Sequence, residues 1–301
     1  MARVALVAGA GGNFGGAMSE ALRYAGWEVR AYARGTDMAA AAKGASVIVN
    51  GLNPPGYHDW ARLIPEITLA VLAAAKASGA RVLVPGNVYV YGRQPAPWGP
   101  WTPHVPCSRK GRVRAEMEAR YRAAADGGAA RVLILRGGDF IAPGAKVGLW
   151  PQVVLKPLAK GRIVAMGDPG ARRAHAYLPD MARAGVGLLS QEGPDFVDMP
   201  FAGLAFSVDD LAAAIGRVTR RVMGRVTGRV TGRVPQVVPF AWWQMRLAAP
   251  FWELARELAE MRYLYDLPHE LDGGPLAAAL PGFAVTPLDD VLRAVLQVFD
   301  R

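Results

Sequence analysis

Short apolar runs alternate with longer amphipathic segments through the first half of the chain. The apolar runs that predict β-strands cover residues 3–8, 28–33, 47–50, 81–85 and 131–135. Segments with apolar residues at helical spacing lie between them, near 15–25, 64–78 and 112–125. Strands that alternate with helices in this way form parallel sheets covered on both faces. The pattern therefore predicts an α/β fold built on a parallel sheet.

The pattern loosens after Arg136 into loops rich in proline and glycine. Ser207 and Asp210 have the spacing of a reciprocal helix cap, and the apolar stripe of that helix is predicted to be Leu211, Ile215, Val218 and Val222. Residues 240–265 are rich in aromatic side chains, and their spacing favours a packed amphipathic helix that carries Leu254, Leu258 and Met261, with the lining of a pocket as the alternative. We predict a first domain over residues 1–165 and a smaller, mostly helical lobe over 166–301, interleaved with the first.

Composition places the chain among globular proteins. Hydrophobic residues make up 52% and charged residues 20%, which is enough apolar surface to offset the entropy lost on folding. The single cysteine, Cys107, cannot form an internal disulfide, and no apolar run is long enough to predict a membrane span. We therefore expect a cytoplasmic protein with no membrane partner.

The formal charge of +10 is unevenly distributed. Basic residues cluster over 109–122 and over 217–234, and the second cluster contains no acidic residue. It is also a repeat, in which valine recurs at every fourth position from Val218 to Val234. Because its glycines disfavour a helix, we predict an extended or irregular arm. An anion-binding arm is the alternative, but no aromatic residues interleave the arginines, and we expect no specific nucleic-acid partner.

The most specific motif lies between the first predicted strand and the first predicted helix. Its glycines are Gly9, Gly12 and Gly15. The first permits a tight turn, the second lets a diphosphate approach the backbone, and the third lets the helix pack closely on the strand. Asn13 and Phe14 would open the helix, whose N-terminus carries a partial positive charge. We predict that this turn binds the diphosphate of a dinucleotide.

This glycine spacing resembles that of the extended and atypical branches of the short-chain dehydrogenase/reductase superfamily, including NmrA-like and epimerase/dehydratase-like proteins. The resemblance covers most of the chain and implies a Rossmann-type, doubly wound parallel sheet with a smaller helical substrate lobe. An NAD-specific member would present an acidic residue after the second strand, where this chain has Arg34. Because a guanidinium fits a 2′-phosphate, we predict NADP rather than NAD as the cofactor, with Asp37 as the residue that could reverse this preference. Leu52 and Asn53 resemble the family loop beside the adenosine half of the cofactor.

The catalytic groups that the resemblance implies are replaced in this chain. Asn87 stands where the family has a serine or threonine, and Ser108 and Arg112 stand where it has a Tyr-x-x-x-Lys pair. A serine hydroxyl is a much weaker acid than a phenol, and an arginine does not readily release its proton. Arg112 keeps a charge that can still bind the cofactor. Tyr89 is a candidate phenol from another direction, and Asn87 is a candidate for polarising a carbonyl.

Residues after the strand 131–135 resemble the family segment that borders the nicotinamide. Gly138 and Phe140 are therefore candidate cofactor contacts. Asp139 is a candidate acid or base, and the alternative is a loop carboxylate with a structural role.

The sequence thus predicts an NADP(H)-binding oxidoreductase or epimerase/dehydratase-like enzyme that acts on a small molecule of unidentified structure. The alternative is a protein that senses NADP(H), or serves as a scaffold, without catalysis. Loss of the three family groups favours this alternative, whereas an aromatic pocket lining would favour the enzyme. No metal site is predicted, because three of the four histidines, His58, His104 and His269, lack ligand spacing to cysteines or carboxylates. A homodimer is left open.

Overall fold

The structure, a computed structural model, describes residues 3–145, 147–222 and 233–296. Its strands are β1 (Val4–Ala8), β2 (Glu28–Ala31), β3 (Val47–Asn50), β4 (Arg81–Gly86), β5 (Val132–Arg136), β6 (Asp139–Ile141), β7 (Arg162–Ala165), β8 (Arg173–Tyr177), β9 (Phe196–Pro200), β10 (Leu204–Phe206) and β11 (Gln236–Pro239). Its helices are α1 (Asn13–Tyr24), α2 (Met38–Ala41), α3 (Trp60–Ser78), α4 (Arg109–Asp126), α5 (Leu178–Leu189), α6 (Val208–Val222), α7 (Trp242–Ala248), α8 (Glu253–Glu260), α9 (Tyr263–Asp266), α10 (Gly274–Ala279) and α11 (Leu288–Leu296). None of these helices combines the length and the apolar character needed to cross a bilayer.

The chain forms two compact units, each built from several segments. The first unit consists of Met1–Gly137, Leu178–Phe201 and Leu271–Phe283. The second consists of Gly138–Tyr177, Ala202–Glu270 and Ala284–Arg301.

A six-stranded parallel sheet forms the centre of the first unit. Its strand order is β2-β1-β3-β4-β5-β9. Val7 of β1 pairs with Ala31 on one side and with Val49 on the other. The strand order therefore reverses between β1 and β3, and the carboxyl ends of strands at such a reversal form the crevice where open α/β sheets bind ligands. The predicted α/β fold with a parallel sheet is confirmed.

Helices cover both faces of this sheet. On one face, α3 packs with α2 and α4 over buried strand residues that include Leu6, Ile48 and Val82. On the other face, α1 packs against α5, whose Gly185 lies close to the side chain of Leu135. Successive side chains of a strand point to opposite faces, so a strand buried on both sides is a continuous apolar run. This is why hydropathy predicts the inner strands β1, β3, β4 and β5.

The second unit contains two small sheets. Their strand orders are β10-β8-β6 and β11-β7. A separate core joins α6 and α11 through buried side chains such as Leu211, Ile215 and Leu292. The predicted cap of α6 is confirmed: Asp210 N donates to Ser207 Oγ, and Ser207 N donates to Asp210 Oδ2, both at 3.0 Å.

Replacing Ser207 with alanine is expected to lower the free energy of unfolding by about 1 kcal/mol, because one N–H at the start of α6 loses its partner. Urea unfolding followed by circular dichroism measures the change. Ser46→Ala is the matched control, since this serine is exposed and surface substitutions usually change stability by less than about 0.5 kcal/mol. Equal stability of the two variants would contradict the capping role.

Helix α6 continues to Val222, as the apolar stripe predicted from Leu211 to Val222 requires, whereas the extended arm predicted from Arg217 onwards is wrong for the first residues of the repeat, which are helical. Val218 is buried because the valine spacing continues the apolar stripe of α6; residues 223–232 lie outside the described part of the chain. The helix predicted around Leu254 and Leu258 is confirmed as α8, and the aromatic segment also contains the short helices α7 and α9. Pro250 lies between α7 and α8, where it lacks the N–H that a continuous helix needs.

Candidate active site

Three glycines bring the backbones of β1, α1 and β3 together at the carboxyl end of the sheet. Gly9 has a φ of 78°, in the left-handed region that favours glycine. A Cβ on Gly9 would lie 2.6 Å from the carbonyl oxygen of Gly51, and a Cβ on Gly15 would lie even closer to the carbonyl oxygen of Gly9. Backbone therefore touches backbone on both sides of the turn. Gly51 was not predicted, although a glycine directly after an apolar strand is a usable signal.

The space over this turn is open. A Cβ on Gly12 would meet only the carbonyl oxygen of Gly9, at 3.3 Å, and a Cβ on Gly11 would have no atom of the described residues within 4 Å. Helix α1 begins at Asn13 with no side-chain cap and no acidic residue in its first turn. The positive end of the helix dipole is therefore not neutralised by its own first turn. Such a backbone surface can accept a diphosphate.

The residues predicted to distinguish NADP from NAD lie after β2. Arg34 is exposed, and it follows the strand that pairs with β1. Asp37 Oδ1 accepts a hydrogen bond from Ala39 N at 2.9 Å and caps α2. Asp37 therefore has a structural role, whereas the guanidinium of Arg34 is available at the surface.

The loop after β3 carries the other predicted adenosine contacts. Leu52 is half-buried, and its N–H donates to Asn50 Oδ1 at 3.3 Å. Asn50 is buried, and its Nδ2 donates to the hydroxyl of Tyr121 at 3.1 Å. Asn53 is exposed. Asn50 thus fixes the start of the loop and leaves Asn53 at the surface.

Asn87 and Tyr89 lie at the carboxyl end of β4. Asn87 Oδ1 accepts a hydrogen bond from Tyr89 N at 3.1 Å, so the amide NH₂ is the remaining donor of this side chain. The Tyr89 hydroxyl lies 3.2 Å from the hydroxyl of Tyr57, which belongs to the turn after β3. The structure thus brings two predicted catalytic residues together and adds Tyr57, which was not predicted.

Ser108 and Arg112, which align with the tyrosine and lysine of the family, lie in different environments. Ser108 is buried, and its Oγ accepts a hydrogen bond from Gly111 N at 3.0 Å. The serine is therefore the N-cap of α4. Arg112 is exposed, on the side of the helix away from its buried positions. Its role as a cofactor contact stays a prediction.

The buried face of α4 carries two other basic residues. Lys110 is 1% exposed, and its Nζ lies 5.1 Å from the centroid of the Tyr57 ring. Arg114 is also buried, and its Nη2 donates to the carbonyl oxygen of Pro85 in β4. Hydropathy gave no signal for either residue, because lysine and arginine usually mark exposed helix positions.

A fully buried arginine connects β5 to β4, α4 and β9. Arg136 is 0% exposed. It donates to both oxygens of Glu118 at 3.1 and 2.7 Å, and to both oxygens of Asp198 at 3.1 and 2.6 Å. A further hydrogen bond of 2.6 Å reaches the carbonyl oxygen of Asn87. Burial acts to lower the pKa of Arg136, but attraction by Glu118 and Asp198 outweighs it and holds that pKa well above its ordinary value.

A cavity of about 320 Å³ lies beside this cluster within the first unit. The loop 100–104, α4 and β9 line it. His104 Nε2 lies 3.8 Å from Glu118 Oε2, and the donor atoms of His104, Glu118 and Asp198 lie within 4.8 Å of one another. Because Arg136 already binds both carboxylates, we assign no metal ion to this group.

Gly138, Asp139 and Phe140 lie in the second unit, at the start of β6. A Cβ on Gly138 would collide with the carbonyl group of Ala174 in β8. Asp139 Oδ2 lies 3.3 Å from Arg173 Nη1, so this carboxylate is held in an ion pair. Phe140 is half-buried. The predicted catalytic and cofactor-binding roles of these residues stay predictions.

Comparison with known proteins supports this architecture. Residues 57–197 match the NAD dependent epimerase/dehydratase family. Among curated proteins, no sequence matches this chain. The predicted resemblance to epimerase/dehydratase-like proteins is confirmed, while the NmrA-like part of it stays a prediction.

Solved structures share the fold over nearly the whole chain. A proposed epimerase from Burkholderia cenocepacia J2315 is 19% identical, with a TM-score of 0.75 over 99% of this chain and 98% of that one. UDP-glucuronic acid 4-epimerase from Bacillus cereus, in complex with NAD, is 15% identical, with a TM-score of 0.72 over 98% of each chain. RMD from Pseudomonas aeruginosa, complexed with NADPH, is 17% identical, with a TM-score of 0.71 over 99% of each chain.

Proposed function

We propose that this protein is an NADP(H)-dependent oxidoreductase or epimerase/dehydratase. The proposal starts from its Rossmann-type fold and from the match of residues 57–197 to the epimerase/dehydratase family. Its substrate is a small molecule with a carbinol or carbonyl group, and the sugar of a sugar nucleotide is the class that the structural relatives favour. UDP-glucuronic acid 4-epimerase from Bacillus cereus, for example, has the same fold.

The backbone turn after β1 is the observation that carries this proposal. Gly9 and Gly15 bring strand and helix into contact, and the space above Gly12 stays open. A diphosphate placed there would meet the N-terminus of α1 without a side chain in the way. Asn13 and Phe14 in the first turn, and Leu52 and Asn53 after β3, are the proposed neighbours of the bound cofactor.

Arg34 supports NADP over NAD. Its guanidinium is exposed after β2, whereas the carboxylate of Asp37 is engaged at the start of α2. A 2′-phosphate is recognised by charge-assisted hydrogen bonds from such a guanidinium. A ribose 2′-hydroxyl offers no charge for it to bind.

Replacing Arg34 with alanine is expected to weaken NADPH binding by about 10- to 100-fold, the value of one or two charge-assisted hydrogen bonds. NADH binding should change by less than about 3-fold, because NADH lacks the phosphate. Fluorescence titration with each nucleotide measures both constants. Arg23→Ala, an exposed arginine at the end of α1, is the control. Equal losses for the two nucleotides would overturn the preference for NADP.

The residues after β4 can move a proton to or from a substrate oxygen. A bound nicotinamide would supply the hydride chemistry. The amide NH₂ of Asn87 can donate to the substrate oxygen, and the hydroxyl of Tyr89 can exchange a proton with it. Lys110 and Arg114 place positive charge beside the phenols and favour the ionised form. In this proposal they supply the charge that the family lysine supplies elsewhere.

Four further residues have proposed roles outside this group. Asp139 is a second candidate acid or base, held by Arg173. Arg112 is a candidate for an electrostatic contact at the surface of α4. Gly138 and Phe140 remain candidate neighbours of the nicotinamide.

A non-catalytic NADP(H)-sensing protein is the second candidate, and one observation favours it. Ser108 stands at the position of the family tyrosine, where its Oγ accepts the N-cap hydrogen bond of α4, and a serine hydroxyl is a much weaker acid than a phenol. Incubation with NADP⁺ and a panel of UDP- and GDP-sugars separates the two functions. Conversion of any sugar, detected by chromatography, supports the enzyme. Tight NADPH binding with no conversion across the panel supports the sensor.

A further inference from the structure

Two phenols meet at the carboxyl edge of the sheet in the first unit. The hydroxyls of Tyr57 and Tyr89 lie 3.2 Å apart. Tyr57 comes from the turn after β3, and Tyr89 comes from the turn after β4. These strands are neighbours in the sheet, so the pairing is a direct consequence of the parallel topology. Tyr57 also packs edge-on against Trp60, with ring centroids 5.1 Å apart.

The backbone holds Tyr57 in an unfavourable conformation. Its φ is 63°, in the left-handed region that bulky L-residues avoid. A residue that occupies this region persists only where its surroundings require it, and such residues concentrate at functional sites. Tyr57 thus adopts a strained backbone conformation, and in this conformation its phenol lies next to that of Tyr89.

Two buried cations of α4 act on the two phenols. Lys110 Nζ lies 5.1 Å from the centroid of the Tyr57 ring. Arg114 is buried and interacts electrostatically with Tyr89, and its Nε has no hydrogen-bond partner among the described residues. The other charged and titratable groups that act on Arg114 are Glu118, Arg136 and Tyr121. Glu118 in turn is bound by Arg136. Lys110 acts on the ring of Tyr57, and Arg114 acts on Tyr89.

We propose that Tyr57 and Tyr89 form a phenol pair in which Tyr57 is a positioning residue for the acid–base chemistry of Tyr89. Tyr57 donates its hydroxyl hydrogen to the ionised oxygen of Tyr89, and the two α4 cations balance the negative charge. This inference rests on the proposed function, because it assigns the proton acceptor of that same site.

Protons and electrons balance when the substrate carbinol is oxidised to a carbonyl. When the substrate carbinol is oxidised, its O–H proton goes to the ionised oxygen of Tyr89. A bound oxidised nicotinamide would supply the oxidant, because it would accept the hydrogen of the substrate C–H bond together with the bonding electron pair, as hydride. Reduction of the carbonyl runs the same transfers backwards, so Tyr89 returns the proton to the substrate oxygen. Tyr57 stays protonated in both directions and makes no contact with the substrate.

Spectroscopic titration of the tyrosines tests the pair without cofactor or substrate. In the wild-type protein, one phenol is expected to ionise below the ordinary tyrosine pKa of about 10. Tyr89→Phe should remove this early ionisation, and Tyr57→Phe should move it to higher pH. Tyr24→Phe, at a tyrosine that is 96% exposed, should leave it in place. Lys110→Gln is a second variant that should also move it to higher pH, should Tyr57→Phe fail to fold.

Two results would overturn the pair: no early phenol in the wild-type protein, or an early phenol that is unchanged by both Tyr57→Phe and Lys110→Gln. Failure of the proposed function would give a different result. A protein that does not bind nucleotide would still show the early ionisation of a tyrosine and its shifts in the variants. Once a substrate is known, kcat/KM for oxidation should rise with pH through the Tyr89 ionisation. Tyr57→Phe should displace that rise to higher pH, and a displacement by one pH unit corresponds to about a 10-fold loss of kcat/KM at neutral pH.

Discussion

Replacing Gly15 with alanine is expected to abolish nucleotide binding and to destabilise the protein. The new Cβ would overlap the carbonyl group of Gly9, and neither side can yield, because Gly9 itself lies against the backbone of Gly51. Overpacking of this kind costs up to about 3 kcal/mol. Displacement of the turn should weaken NADPH binding by at least about 100-fold, equal to about 2.7 kcal/mol.

Gly16 offers a matched control in the next position of the same helix. A Cβ on Gly16 would lie 3.5 Å from the carbonyl oxygen of Ala10, an ordinary contact. Gly16→Ala should therefore keep both stability and NADPH binding, since alanine favours a helix more than glycine does. Thermal unfolding and fluorescence titration of the two variants measure the difference. If Gly15→Ala has the same melting temperature and the same affinity for NADPH as Gly16→Ala, the close packing of the turn is irrelevant to binding.

Replacing Arg136 with methionine is expected to lower the free energy of unfolding by about 3–5 kcal/mol. The change removes the cation that neutralises Glu118 and Asp198, and both carboxylates stay buried. Removing one partner of a buried ion pair is costly because the remaining charge is left without water or counter-charge. The same change frees the carbonyl oxygen of Asn87, so the turn that carries Tyr89 should also loosen.

Arg30→Met is the matched control, because Arg30 forms an exposed ion pair with Glu28 at 2.7 Å. Exposed pairs contribute about 0–1 kcal/mol. Urea unfolding of both variants gives the comparison, and the ionisation of Tyr89 reports on the turn. A loss for Arg136→Met no greater than for Arg30→Met would show that the buried network does not stabilise the fold.

Hydropathy predicted the inner strands β1, β3, β4 and β5 because they are buried on both faces, whereas β2 is a mostly exposed edge strand. β3 and β5 are apolar up to a polar last residue, and the structure places them within one residue of the predicted bounds. Helix ends were harder to predict. α4 begins at Arg109, earlier than predicted near Arg112, because the cap is Ser108 and the first turn contains no apolar stripe.

One part of the candidate site could be predicted from the sequence, and another part could not. The glycine turn is local in sequence, and the steric reason for each glycine follows from its position between a strand and a helix. Lys110 and Arg114 were assigned to no site because burial of a basic residue depends on partners from other elements. Arg136 is the clearest case: its partner Asp198 lies in β9, far along the chain. No local sequence pattern predicts a contact between residues that lie so far apart in the sequence.

The order of the segments also constrains how the protein is made. β9 forms the outer edge of the sheet next to β5, but the chain completes the first segment of the second unit before it reaches residue 196. During synthesis, the hydrogen-bonding edge of β5 therefore stays open and Arg136 lacks one of its two carboxylates until β9 emerges from the ribosome. Such edges invite wrong pairing with other chains. Because the segments alternate, no single proteolytic cut separates one whole unit from the other.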